Sequence, residues 1–209
     1  MKTIFLDFDG VLFDSVKEAY LLARYAFFDI PVKEAIDEEH YQKFRKYRYL
    51  ITHSWHYYYI LKLIENNAIE FEKNYYELIN NRNKEMANLF DEKYQKQRKF
   101  LIENDYNYWK NLEQPYKFLH EIKKIKDGFD IIILSTKNEF AIKNHLSEYD
   151  FKLEDEKIVG KENLKKYQTK SNFIENYINS NKIEKAIFID DSIDNLKECR
   201  NIKHLKCIQ

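Results

Sequence analysis

The sequence has 209 residues, of which 44% are apolar and 33% are charged. This length and balance fit one domain of ordinary size, or a core domain with an insert, and exclude a disordered acidic or basic tail protein. Lysine plus arginine and aspartate plus glutamate each number 35, so the net charge is zero and no overall field draws the chain to nucleic acid or an anionic membrane.

Three short apolar runs predict strands, at Thr3–Phe8, Asp130–Leu134 and Ala186–Ile189. Each run is rich in β-branched or aromatic residues and is followed at once by polar residues. This pattern is typical of parallel strands that are buried on both faces. Lys157–Val159 and Leu205–Ile208 are two further strand candidates at the same sheet.

Helical segments separate these strands. They lie at about Pro115–Lys126, Glu139–Ser147 and Ser171–Asn179. The alternation of strands and helices predicts an α/β fold, a Rossmann-like doubly wound parallel sheet with right-handed crossovers.

The first crossover is far longer than one helix with two loops requires, because more than 100 residues separate the first two predicted strands. The stretch from Glu18 to Trp109 contains one proline and no glycine, and its segments Tyr41–Glu65 and Asn74–Lys99 show apolar residues at three- and four-residue spacing. We predict an α-helical domain inserted after the first strand. The predicted domains are a helical insert at residues 17–111 and an α/β core at residues 1–16 and 112–209.

Polar residues follow three of the predicted strands at the point where each strand ends. They are Asp7, Asp9 and Gly10, then Ser135 and Thr136, then Asp190 and Asp191. Ligands of open α/β sheets bind outside the carboxyl ends of the strands, so we expect these groups to converge at one edge. Clustered carboxylates repel one another unless a cation holds them together. Oxygen-only ligands of this kind favour Mg²⁺, which keeps waters for a substrate phosphate.

These segments resemble the motifs of the haloacid dehalogenase superfamily. Residues 7–15, DFDGVLFDS, are similar to the first motif, DxDGTLxDS. Leu134–Lys137 resembles the second motif, and Ile189–Asn195 resembles the fourth. The third motif is a single lysine, which Lys170 fits best. The order, spacing and strand context of the motifs agree, and the helical insert resembles the mobile cap of this superfamily.

The resemblance implies a Mg²⁺-dependent phosphatase that acts on a small phosphate ester through an aspartyl-phosphate. It implies that Asp7 is the nucleophile and Asp9 the general acid and base. The implied phosphate-binding residues are Ser135, Thr136, Lys170 and Gly10. The implied Mg²⁺ site comprises Asp7, Asp9 through its backbone carbonyl, Asp191, and Asp190 through a water. Asn195 or Asp194 would help to fix Lys170 or the metal ligands.

The second aspartate separates the branches of this superfamily. Dehalogenases lack it because a halide leaves without a proton, so Asp9 disfavours cleavage of a carbon–halogen bond and favours phosphoryl transfer. The expected substrate is a sugar, polyol or amino-alcohol phosphate. A phosphoglucomutase-type phosphotransferase and a non-catalytic binding protein on the same fold stay open as alternatives.

Two assignments have competing interpretations. The third-motif lysine has rivals in the nearby Lys161, Lys165 and Lys166. The segment His53–Tyr59, which is rich in aromatic and imidazole groups, fits either a substrate-facing surface of the cap or an amphipathic helix with aromatic core residues.

The location and partners of the protein follow from what the sequence lacks. The first residues place an aspartate where a signal peptide needs an uninterrupted apolar stretch, and no run approaches the roughly 18 apolar residues of a membrane span. Cys199 and Cys207 lack the spacing of a zinc site or a disulfide framework. We expect a cytoplasmic protein, a monomer or homodimer, with no nucleic-acid or membrane partner.

Overall fold

The chain leaves its α/β unit after Asp14 and returns to it at Gln114. The computed structural model describes residues 2–209, and the contacts within it define one unit from the N-terminal stretch through Asp14 together with Gln114–Gln209, and a second unit, Ser15–Glu113. The predicted domain boundaries at residues 16 and 112 lie two residues from these positions. Within residues 2–209, no helix is both long enough and apolar enough to cross a membrane.

The unit Ser15–Glu113 is helical, as predicted. Its elements in chain order are α1 (Val16–Phe28), α2 (Glu38–Lys46), a 3-10 turn at Arg48–Leu50, α3 (His56–Glu65), α4 (Phe71–Asn80), α5 (Lys84–Asn104) and α6 (Tyr106–Lys110).

Two long helical segments predicted from the sequence are each divided in the structure. Tyr41–Glu65 is split between α2 and α3, and Asn74–Lys99 between α4 and α5. Glycine and proline are the usual sequence signals of a helix break, and neither break contains them. The sequence therefore carries no such sign that either helical segment is interrupted. The second break is marked by Asn83, whose side chain accepts a hydrogen bond of 3.1 Å from the Met86 amide and caps α5.

A buried charged cluster joins three helices of this unit. The Glu18 carboxylate in α1 is fully buried and accepts hydrogen bonds of 2.7 and 2.6 Å from the guanidinium of Arg98 in α5. It also accepts one of 2.9 Å from the Trp109 indole in α6. A buried carboxylate is tolerated only when it is paired and hydrogen-bonded, so this cluster fixes the three helices to one another.

The aromatic segment before and within α3 contributes to the interior of the helical unit. Tyr57 and Tyr59 are buried, whereas His53 is exposed. The structure therefore favours the interpretation of this segment as an amphipathic helix with aromatic core residues.

The α/β unit contains a parallel sheet and a short antiparallel pair. The strands are β1 (Thr3–Leu6), β2 (Phe13–Asp14), β3 (Gln114–Pro115), β4 (Asp130–Leu134), β5 (Ile158–Val159), β6 (Ala186–Ile189) and β7 (Leu205–Ile208). The parallel sheet has the order β5-β4-β1-β6-β7, and β2 pairs with β3 where the chain leaves and re-enters the unit. The central position of β1 places the ends of β4 and β6 on either side of Asp7.

Helices pack against both faces of the parallel sheet. They are α7 (Lys117–Ile125), α8 (Glu139–Glu148), α9 (Lys161–Leu164), α10 (Lys170–Ser180) and α11 (Ile193–Cys199). In β1, Ile4 and Leu6 belong to one hydrophobic cluster with Ile142 of α8, and Phe5 belongs to a second cluster with Ile174 of α10. Alternate residues of the strand thus supply the two sides of the core. The predicted doubly wound α/β fold is confirmed.

Several predicted boundaries in this unit differ from the structure by one or two residues. β1 ends at Leu6 rather than Phe8, because the Phe8 carbonyl accepts a hydrogen bond from the Leu12 amide and the chain turns. α7 begins at Lys117 because Pro115 pairs in β3. β5 contains only Ile158 and Val159, one residue less than predicted.

The buried His56 side chain predicts an acid-sensitive helical unit. Its Nδ1 lies 2.6 Å from the Tyr75 hydroxyl, and burial, reinforced by His53, lowers the pKa of His56 to about 3. The unfolded chain binds a proton at this histidine below about pH 6.5, whereas the folded chain does not, so stability is lost as the pH falls. We expect His56 to contribute a loss of about 2 kcal/mol between about pH 7 and pH 5, measured by urea denaturation as the difference between the wild type and a His56→Gln variant.

The matched variants separate this histidine from the others. His56→Gln should remove this contribution to the pH dependence, whereas the same change at His120, which is exposed on α7, should leave it intact. An unaltered slope in His56→Gln would show that His56 is not the group responsible.

Candidate active site

Three carboxylates meet at the carboxyl edge of the parallel sheet. Asp7 follows β1, and Asp190 and Asp191 follow the neighbouring β6. One oxygen from each of the three lies within 4.8 Å of the others. Asp7 and Asp190 are buried and Asp191 is half-buried. The convergence that the sequence predicted for these residues is present.

Lys170 supplies a buried ammonium group to this cluster. It is the first residue of α10, and its Nζ lies 2.9 Å from Asp7 Oδ1 and 2.8 Å from Asp190 Oδ2. The Thr169 hydroxyl caps α10 by accepting a hydrogen bond of 3.1 Å from the Asn172 amide, which fixes the start of the helix. The rival lysines are exposed; they are Lys161, Lys165 and Lys166.

Asp190 is held by several donors at once. It accepts hydrogen bonds from the Ser192 amide at 2.8 Å and from the Asn195 side chain at 3.2 and 3.0 Å, in addition to Lys170. Asn195 therefore fixes one of the predicted metal ligands. Asp194, the other residue expected to hold Lys170 or the metal ligands, is exposed, and its Oδ1 lies 3.4 Å from Lys197 Nζ.

The electrostatics of the cluster favour an added cation. The pKa of Asp7 is raised to about 7. Burial is the largest cause of the rise, the Lys170 ammonium opposes it, and the charges of Asp190 and Asp191 add to it. Burial alone would lower the pKa of Lys170, but Asp7 and Asp190 outweigh it and raise that pKa. When all three carboxylates are ionised, they place three negative charges around the one ammonium of Lys170. The charge and the oxygen donors of this cluster both fit a divalent cation.

A tight turn after β1 determines the surroundings of Asp7. The Phe8 amide donates a hydrogen bond of 2.7 Å to Asp7 Oδ1, and the Gly10 amide donates one of 2.8 Å to the Phe13 carbonyl. Gly10 has a φ of +85°, and a Cβ atom there would overlap the Asp191 carboxylate. Glycine is therefore required both for the backbone conformation and for the close approach of Asp191.

The predicted phosphate-binding residues of the second motif differ in exposure. Ser135 is buried, its amide donates to the Val159 carbonyl at 3.0 Å, and its hydroxyl accepts from the Lys137 amide at 3.3 Å. Thr136 is exposed at the surface. Their assignment to phosphate binding stays a prediction.

Lys137 lies in the second motif, but the sequence did not indicate a role for it at this site. Its side chain is fully buried, and its Nζ donates a hydrogen bond of 3.1 Å to Asp9 Oδ1. The available signal was its position two residues after Ser135, in the loop at the end of a buried strand. In a chain with 35 lysine and arginine residues, that position alone does not distinguish it.

The solved structures similar to this chain include proteins described as haloacid dehalogenase-like hydrolases and as phosphatases. A protein described as a predicted phosphoglycolate phosphatase from Haemophilus somnus matches with a TM-score of 0.62 and 12% identity, over 99% of this chain and 84% of its own. A haloacid dehalogenase-like hydrolase from Streptococcus pneumoniae gives 0.55 and 12%, over 98% and 82%. A HAD-superfamily hydrolase of subfamily IA from Geobacter sulfurreducens gives 0.54 and 12%, over 99% and 85%.

These similarities concern the fold. No protein-family model matches the sequence, and no curated protein is significantly similar to it. At such low identity the shared architecture is the finding. The chain has the haloacid dehalogenase-like fold with a helical unit inserted after the first strand, so the resemblance noted from the sequence motifs is confirmed at the level of the fold.

Substitution of Gly10 tests the geometry of the turn. Gly10→Ala should destabilise the protein by about 1–2 kcal/mol, because alanine is strained at positive φ, and should displace the Asp191 carboxylate. Thermal denaturation with and without Mg²⁺ measures both effects, and the stabilisation by Mg²⁺ should decrease. Gly128→Ala is the matched control, since a Cβ atom there meets nothing within 4 Å. Equal behaviour of the two variants would contradict this role of Gly10.

The raised pKa of Asp7 predicts that pH and a divalent cation are coupled. In the metal-free protein, the folded state binds the Asp7 proton more tightly than the unfolded chain, so stability is lost as the pH rises from about 4 toward about 7. A divalent cation offsets the charge of the ionised form. Mg²⁺ should therefore raise the melting temperature more at about pH 8 than at about pH 6. The difference should disappear in Asp7→Asn, and a pH-independent effect of Mg²⁺ would contradict the interpretation.

Proposed function

We propose that this chain is a Mg²⁺-dependent phosphatase that hydrolyses a small phosphorylated metabolite through an aspartyl-phosphate. The observation that carries this proposal is the buried Asp7 carboxylate at the sheet edge, held by Lys170 and next to Asp190 and Asp191. The haloacid dehalogenase-like fold, in which similar structures are hydrolases and phosphatases by name, supports it.

Asp7 is the proposed nucleophile. Its carboxylate oxygen attacks phosphorus, a bond forms between that oxygen and the phosphoryl group, and the bond from phosphorus to the ester oxygen breaks. Lys170 holds Asp7 Oδ1 at 2.9 Å and offsets negative charge at the reacting carboxylate. The Phe8 amide, which also donates to Oδ1, restricts rotation of the side chain.

Asp9 is the proposed general acid and base. In the first step it gives its proton to the leaving oxygen, so that the product departs as an alcohol. In the second step a water attacks the phosphorus of the aspartyl-phosphate and gives its proton to Asp9. Orthophosphate is released, the Asp7 carboxylate is regenerated, and Asp9 is ready for another substrate.

The phosphoryl group would be bound by groups that follow two strands, β1 and β4, and by the first residue of α10. Ser135, Thr136, Gly10 and Lys170 are the proposed contacts. Backbone amides and hydroxyl groups at the ends of parallel strands, together with a buried ammonium, suit the oxygens of a transferring phosphoryl group.

Mg²⁺ would be held by Asp7, the Asp9 backbone carbonyl and Asp191, with Asp190 supporting the site. A bound cation would offset the negative charge of the phosphoryl oxygens and of the attacking carboxylate. Asp190 contributes by holding Lys170, while Ser192 and Asn195 fix its own oxygens.

The substrate class is a sugar, polyol or amino-alcohol phosphate. The presence of Asp9 supports a phosphate ester, because an alcohol leaving group needs a proton. Release of orthophosphate from a panel of phosphate esters, with Mg²⁺ or with EDTA, tests the activity. Phosphoglycolate belongs in that panel because one structurally similar protein carries that name.

Replacement of the two aspartates of the first motif tests the mechanism. Asp7→Asn and Asp9→Asn should each lower kcat/KM by at least about three orders of magnitude, or about 4 kcal/mol of activation free energy. Asparagine preserves the shape of each side chain but neither attacks phosphorus effectively nor transfers the proton. The measurement is orthophosphate release from the best ester of the panel at saturating Mg²⁺.

The matched control is Asp194→Asn, which alters an exposed aspartate of α11 and should leave the rate within about twofold. Acid-quenched wild-type enzyme should retain labelled phosphate from the substrate, and Asp7→Asn should not. Near-normal Mg²⁺-dependent hydrolysis by Asp7→Asn would contradict the proposed mechanism, in which Asp7 is the nucleophile. Absence of orthophosphate release from every ester by the wild type would reject the phosphatase.

A further inference from the structure

A second buried lysine of the α/β unit contacts the candidate acid and base. The Lys137 side chain has no exposed surface, and its Nζ lies 3.1 Å from Asp9 Oδ1 and 5.4 Å from the centroid of the Phe8 ring. The Asp9 side chain remains 20% exposed. A buried ammonium is strongly destabilising without a partner, so burial of Lys137 constrains where the Asp9 carboxylate lies.

The backbone around Lys137 fixes the point from which its side chain extends. Its amide donates to Ser135 Oγ at 3.3 Å, and its carbonyl accepts from the Lys161 amide at 2.8 Å. The loop after β5 approaches this carbonyl so closely that a Cβ atom at Gly160 would lie 2.8 Å from it. The loop after β4 is therefore held at both ends of the Lys137 residue, and the ammonium has a defined location.

Asp9 needs an external restraint of this kind. It lies in the turn after β1, outside the parallel sheet, where its backbone makes an isolated bridge to Phe13. Proton transfer requires the carboxyl group to lie within hydrogen-bond reach of the leaving oxygen, and a misplacement of about 1 Å costs about 100-fold in rate. An ammonium on Oδ1 reduces the freedom of the side chain before substrate binds.

We propose that Lys137 is a positioning residue that holds Asp9 for proton transfer. The two buried lysines of the site thus have separate tasks, since Lys170 contacts Asp7 and Lys137 contacts Asp9. This inference rests on the proposed phosphatase function. It differs from direct binding of the phosphoryl group by Lys137, which would affect every phosphate ester alike.

The dependence on the leaving group tests the proposal. An alkyl phosphate needs a proton on its leaving oxygen, whereas p-nitrophenyl phosphate releases a stable anion without one. Lys137→Met should lower kcat/KM for the alkyl phosphate by about 100-fold and that for p-nitrophenyl phosphate by no more than about 3-fold. Lys137→Arg, which retains a cation, should restore part of the loss on the alkyl ester.

Two further variants keep the test independent of folding. Lys157→Met removes another lysine–aspartate pair, in which half-buried Lys157 Nζ lies 2.5 Å from buried Asp130 Oδ1, at the start of β4 rather than its end. It should lower the melting temperature without changing the ratio of the two rates. In an Asp9→Asn background, Lys137→Met should have no additional effect on the alkyl ester, because Lys137 acts through Asp9.

The possible outcomes are distinct. Equal losses on both esters in Lys137→Met, or an undiminished additional loss in the Asp9→Asn background, would overturn the positioning role. If Lys137→Met does not fold, the Asp9→Asn background, in which no carboxylate is left without its counterion, supplies the decisive comparison. Wild-type protein that turns over neither ester would instead reject the phosphatase proposal itself.

Discussion

Three carboxylates share a largely buried edge of the parallel sheet, and the remaining features of the site compensate for their repulsion. Lys170 places its ammonium between Asp7 and Asp190, and Asp190 accepts further hydrogen bonds from Ser192 and Asn195. With these contacts in place, the pKa of Asp7 is still raised to about 7. A divalent cation would offset the charge of these carboxylates, so the arrangement fits the proposed Mg²⁺-dependent phosphoryl transfer.

The architecture of the α/β unit makes this concentration of charge possible. Parallel strands place all their carboxyl ends at one edge, and the central β1 brings Asp7 between the ends of β4 and β6. The turn after β1 must be compact as well, since Gly10 lies against the Asp191 carboxylate. The antiparallel pairing of β2 with β3 joins the two segments of the chain that lead into and out of the helical unit. The geometry of the candidate site is therefore determined by short segments next to the strands.

The sequence predicted the fold and most of the candidate site because both depend on local patterns. Buried strands appear as short apolar runs, and polar residues directly after them mark the strand ends. The divisions between α2 and α3 and between α4 and α5 were missed, since a helical period continues through breaks that lack glycine and proline. The role of Lys137 was missed for another reason. Its partner Asp9 lies 128 residues away, and no local pattern connects the two.

By itself, the sequence determined the order along the chain of the residues with reactive or charged side chains. These are an aspartate pair with a glycine, a serine, a lysine and an acidic pair, and each lies next to a predicted strand or helix. It also determined that a long helical stretch interrupts this series. Only the tertiary structure decided which lysine meets which aspartate, because Lys161, Lys165, Lys166 and Lys170 have the same chemistry and differ in burial. Side-chain distances depend on the register of the strands and the course of the loops, and those are properties of the folded chain.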